Sequence, residues 1–142
     1  MASRALDKAA AAPYREGESM ADRLRDLRAR LTRLHRTLLE EERRTYEAAH
    51  GPVASRPALL QLLLHHDHFA WLRALSAMIA AIDAALDEAE AGIPDAEVDT
   101  FFRQTHALLR SGGSGPFETK YREALQRSPD VVMAHAAVVK LL

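Results

Sequence analysis

The stretch LRDLRARLTRLHRTLLEEE, residues 24–42, decides the fold. Leu24, Leu27, Leu31, Leu34 and Leu38 recur at intervals of 3, 4, 3 and 4 residues, which stacks all five on one seam of an α-helix. On a strand the same leucines would be divided between two faces. The seam continues through Glu42, Thr45 and Tyr46. Upstream, Ser19-Met20-Ala21-Asp22 has the S-x-x-D form in which a serine oxygen takes a free backbone N–H and an acid meets the positive helix end. Downstream, His50-Gly51-Pro52 ends the helix, since glycine accepts a left-handed cap and proline cannot continue.

The rest of the chain repeats this grammar. Ser55 followed by Pro57 opens a second helix, expected to run unbroken to about Glu90 with Leu60, Leu64, His68, Trp71, Leu75, Met78, Ile79, Ile82 and Leu86 inward. Gly92 closes it and Pro94-Asp95 opens a third, facing the core with Val98, Phe101, Phe102, Thr105, Leu108 and Leu109. The run Ser111-Gly112-Gly113-Ser114-Gly115 is a flexible break that lacks the Lys-Ser or Lys-Thr of a phosphate loop. Pro116 starts a fourth helix, and Ser128-Pro129-Asp130 caps a fifth carrying Val131, Val132, His135, Val138, Val139 and Leu142 inward. No segment sustains period-2 alternation, so the expected class is all-α. Two long helices joined by a short loop must be antiparallel neighbours. The expected architecture is therefore a four-helix-like bundle, a long hairpin covered by three shorter helices. Residues 19–142 are expected to form that single domain, behind a mobile tail over 1–18 that is rich in alanine and poor in large apolar residues.

Composition narrows the function. The chain has 142 residues, no cysteine and a net charge of −1, which excludes disulfide scaffolds, thiol enzymes and Cys-ligated zinc. The longest run without charge or histidine, Ala74 to Ile82, is short of the roughly 20 apolar residues of a membrane span, and the first residues lack a secretory h-region, so a cytoplasmic protein with no membrane partner is expected. Arg23, Arg25, Arg28, Arg30, Arg33 and Arg36 resemble a nucleic-acid stripe taken alone. An antiparallel hairpin turning near residue 53 pairs residue i with about 107 − i, however, and so sets Arg23 beside Asp83 to Asp87. No aromatic residue interleaves the arginines for base stacking, and no nucleic-acid partner is expected.

The histidines carry the sharper chemistry. The hairpin places inward Glu42 level with His65 and His68, and His135 on the last helix is inward as well. An inward carboxylate facing histidines three residues apart is an arrangement that binds zinc or iron inside bundles. The same residues form a structural pair when the acid only fixes the ring. The spacing does not match the H-x-x-x-E, H-x-x-x-H and repeated E-x-x-H patterns of haemerythrin and di-iron ferritin-like bundles, because the sole E-x-x-H, Glu47 to His50, points outward. The leading expectation is a non-catalytic module without cofactor that associates with itself as a homodimer or with another protein. The alternative is a metal-binding or ligand-sensing bundle using Glu42, His65, His68 and His135. Leu39, Leu59, Leu62 and Leu63, apolar but off the inward face, are the expected dimer surface.

Overall fold

The computed structural model describes residues 19–88, 92–110 and 112–142; the expected tail over 1–18 lies outside them. Among the described residues the chain is all-helical, with no strand. The α-helices are α1 (Met20–His50), α2 (Arg56–His65), α3 (Arg73–Glu88), α4 (Asp95–Arg110), α5 (Pro116–Arg127) and α6 (Pro129–Val139), with a 3-10 segment, Asp67–Leu72, between α2 and α3.

The caps form as the serines dictate. Ser19 Oγ accepts from the Asp22 N–H at 3.0 Å, Ser55 Oγ from Ala58 at 3.2 Å and Ser128 Oγ from Val131 at 3.3 Å. Asp22 is thereby held below the usual carboxylate range, chiefly by the Ser19 hydrogen bond. Gly51 ends α1 at φ +85°, the left-handed region glycine enters without steric cost, and its N–H reaches the Glu47 carbonyl at 2.9 Å. The Glu47 carboxylate then accepts from the Val53 N–H at 2.7 Å and holds the turn.

α1 is the axis of the fold. All five leucines of its seam are fully buried, each stabilising the fold by about 1.5–3 kcal/mol relative to an exposed side chain. α6 packs along α1, and α3, the 3-10 segment and α4 cover its other flanks, while α5 bridges α6 and the 3-10 segment. The chain returning beside α1 runs against it, since Arg28 meets Asp83, His35 meets Ser76 and Glu42 meets His68.

Three expectations need correction. The second helix is not continuous, because His66 is extended (φ −94°, ψ 137°) and separates α2 from the 3-10 segment. Two side chains make this break stable: His66 Nδ1 accepts from the His68 N–H at 3.1 Å, and Arg73 donates to the carbonyl of Leu63 at 3.1 Å, near the end of α2, and to that of His66 at 3.2 Å, which also accepts from the Phe69 N–H at 3.1 Å. The break also rotates α2 by about one residue. Leu59 and Leu63 are buried, whereas Leu60 and Leu64 are 49% and 58% exposed.

Of the leucines expected off the inward face, Leu59 and Leu63 consequently belong to the core, and Leu39 and Leu62 are partly buried against it. The register has also slipped by about one turn. Arg23 lies over the Phe102 ring, 4.8 Å from its centroid, and it is Arg28 that reaches Asp83 at 3.4 Å. α2 leans on the 3-10 segment more than on α1, so it advances less along α1 than a parallel helix would.

Candidate functional site: a carboxylate and histidine cluster beside an uncovered helix face

Glu42 ends the leucine seam and is the one charged side chain buried in it, at 4% exposure. An inward carboxylate among leucines demands polar partners, and two elements supply them. From the 3-10 segment, His68 brings Nε2 to 2.9 Å from Glu42 Oε2. The contact does not have the alignment of a hydrogen bond, and among the described residues Nε2 has no other polar partner. From the end of α5, Arg127 donates Nη2 to Glu42 Oε1 at 3.3 Å and Nε to Glu41 Oε1 at 2.7 Å. One guanidinium therefore ties α1 to the α5–α6 junction.

Aromatic rings complete the cluster. The Tyr46 ring is surrounded by His50, His66, His68 and Phe69, with centroids 4.5, 5.3, 5.6 and 5.5 Å away. His66 was not among the residues read as inward. It is half-buried, and its Nδ1 serves the backbone.

Of the four residues proposed for zinc or iron, the fold brings together Glu42 and His68. His65 is exposed at the end of α2, and His135 lies on α6, where its Nδ1 is 2.6 Å from the Tyr121 hydroxyl. Among the described residues no group of three His, Cys, Asp or Glu is placed to hold a metal ion, whereas protein zinc sites use three or four such ligands. The physical reason is the break at His66, which turns α2 and puts His65 on a different face from His68.

A second histidine pair went unread in the sequence. His35 Nε2 is 2.6 Å from Ser76 Oγ, and that hydroxyl donates to the Leu72 carbonyl at 3.2 Å. Ser76 therefore accepts from a His35 N–H. This is the reverse of a serine nucleophile giving its proton to a histidine base. Burial holds His35 below the usual histidine range, which keeps it neutral. The antiparallel register that pairs Arg28 with Asp83 is the signal that could have found this contact.

The arginines of α1 are largely occupied. Arg25 pairs with Asp22 at 2.9 Å and Arg30 with Asp26 at 3.1 Å, while Arg30 also donates to the Ala137 carbonyl on α6 at 2.7 Å. Arg43 pairs with Glu40 and Glu47, and its hydrogen bond to Glu40 holds that acid below the usual range.

The outer face of α3 differs from all of this. Ala74, Ala77, Ala80, Ala81 and Ala84 are exposed, while Leu75 and Ile82 on the inner face are fully buried. By length and composition Asp67–Glu88 is apolar enough to cross a membrane, with a mean hydropathy of 1.6, yet only 28% of that stretch is buried. A helix facing water on one side is ordinarily polar there.

Comparison with family models, with curated proteins and with solved structures finds no match.

Proposed function

We propose that the protein is a non-catalytic association module whose partner is a second copy of itself, docked through the outer face of α3. The observation that carries this reading is the exposed alanine face on Asp67–Glu88, an apolar stretch that is only 28% buried. Alanines let two helices approach near the lower end of the usual 8–10 Å axial separation. Charge sets the orientation. Arg73 begins α3, and exposed Asp87 and Glu88 end it, so an antiparallel pair brings each acidic end to the other copy's basic end and opposes the helix dipoles favourably. In that pairing Ala77 meets Ala84, Ala80 meets Ala81, and each acidic end lies at the positive start of the other copy's helix.

The expected hairpin survives in modified form within this proposal. α1 and the returning 67–88 segment are its two arms, with α4 over one part and α5 and α6 over another. Glu42, His68 and Arg127 then act as a polar clasp that fixes register. Zinc or iron remains the second reading, supported by the Glu42–His68 approach alone; metal analysis of the purified protein tests it.

One helix face alone contributes less than the roughly 1,200–2,000 Å² of a stable interface, so the dimer is expected to be weak. In sedimentation from about 1 to 100 μM, around a micromolar dissociation constant, the average mass rises from one chain towards two. Ala81→Arg, on the exposed face, holds it at one chain with helical content unchanged. A single-chain mass throughout, or a dimer indifferent to both Ala77→Arg and Ala81→Arg, overturns the reading.

A further inference from the structure

We propose that the open groove between α4, α5 and α6 binds a small organic carboxylate with an apolar tail. The groove measures about 260 Å³, and its lining includes Leu108, Leu109, Arg110, Arg122, Leu125 and His135, together with Tyr121. That is just below the roughly 300–1,000 Å³ of drug-sized ligand sites. Its walls divide into a leucine side and a cationic side, matching the two halves of such a molecule.

The polar groups are poised rather than satisfied. Arg110 forms no hydrogen bond or ion pair among the described residues, and Arg122 donates to the Gly113 carbonyl at 2.8 Å but meets no carboxylate. Glu118, the acid on the groove wall, folds back to its own helix start, where its Oε2 occupies the space beside Gly115 that a Cβ would need. The two guanidinium groups therefore lack a salt-bridge partner, and a planar fork is suited to accepting a carboxylate on two N–H groups.

His135 adds a donor whose tautomer is fixed. Tyr121 is almost fully buried, and burial raises its hydroxyl above the usual tyrosine range, so it keeps its proton; with His135 Nδ1, 2.6 Å away, as its hydrogen-bond partner among the described residues, it is assigned as the donor to that nitrogen. Burial first, and then the Arg110 charge, hold His135 below the usual histidine range. The imidazole is neutral, with Nδ1 occupied, and offers a ligand its Nε2–H.

Another groove of comparable size, about 270 Å³ between α1 and the start of α6, serves as a contrast. Arg33, Arg36 and Arg44 face Glu40, Glu41 and Asp130 there, so its charges already balance, and it has no leucine wall.

The test is a titration of the full chain followed by amide and histidine NMR, with hexanoate, 1-hexanol and inorganic phosphate as probes. Hexanoate is expected to shift residues of α4, α5 and α6 around the groove saturably. Its carboxylate also offsets the Arg110 charge, so bound hexanoate raises the titration midpoint of His135. Arg110→Gln, at an exposed position, weakens hexanoate binding about tenfold, the loss expected for one charge-assisted hydrogen bond, and leaves the amide spectrum otherwise intact. The proposal fails if hexanoate produces no saturable shift, if Arg110→Gln and Arg122→Gln both leave its affinity unchanged, or if hexanol or phosphate binds the same residues as well as hexanoate does.

Discussion

α1 holds one face inward for 31 residues, whereas the chain that returns beside it changes its inward face at His66. Both segments are rich in leucine, and the difference lies in how the leucines are spaced. In α1 polar residues separate them, so only one rotation of the helix buries all five. In α2 Leu59, Leu60, Leu62, Leu63 and Leu64 are nearly contiguous, and any rotation buries some of them. The phase of α2 is consequently set by its neighbours. His66 and Arg73 do this by capping the break, and the core receives Leu59 and Leu63.

Adjacent leucines provide the strongest way to break this comparison. Leu63→Ala is expected to cost about 2–5 kcal/mol in chemical denaturation, as for other buried leucines, while Leu64→Ala stays within about 0.5 kcal/mol. Equal losses would mean that α2 is continuous with the following helix after all. Next in size is Arg73→Met, which takes its donor from the Leu63 carbonyl and leaves the His66 carbonyl with the Phe69 N–H alone, and costs about 1–3 kcal/mol. Hydrogen exchange should accelerate in α2 and the 3-10 segment while the leucine seam of α1 stays protected; uniform acceleration would show that the break is not a local element.

Capping serines give a smaller contrast. Ser55→Ala and Ser19→Ala should each cost about 0.5–2 kcal/mol. The Ser55 loss should appear in the local exchange of α2, because that helix is short and lightly anchored. The smallest effect is on pH dependence, where the two segments touch at His35 and Ser76. A histidine held below its ordinary value of 6.5 takes up a proton less readily when folded than when unfolded. Its contribution is complete above about 6.5 and is lost as pH falls towards the folded value. His135 adds to the same slope. Urea midpoints at about pH 7.5 and 5.5 should therefore differ less in His35→Gln than in the parent; an unchanged difference would remove His35 from the account.

What the sequence made legible follows the same division. Helix class, the serine caps, the glycine stop and the α1 seam through Glu42 are local matters of spacing and turn chemistry, and they appear where the residues place them. The pairing of Glu42 with His68 was also legible, because both arms enter it from well-phased stretches. The break at His66 was not: nothing in His65-His66-Asp67-His68 forbids a helix, and the groups that stabilise the break, a ring nitrogen and a guanidinium seven residues on, act through space. The errors at Leu60, Leu64 and His65 all descend from it. Arg127 escaped for a related reason, since its link to Glu42 joins residues 85 apart in sequence.

The packing of α6 along α1, with Arg30 bonded to the Ala137 carbonyl 107 residues later, constrains the order in which the chain can be completed. A ribosome releases the leucine seam well before the helix that shields one flank of it. Throughout the intervening synthesis that flank has only solvent or a chaperone to meet, because its native cover does not yet exist. Contacts of such long range also slow the closing step relative to the hairpin turn at Gly51. The nascent protein is thus most vulnerable to aggregation after its most regular helix has formed, and α6 acts as the latch that ends that interval.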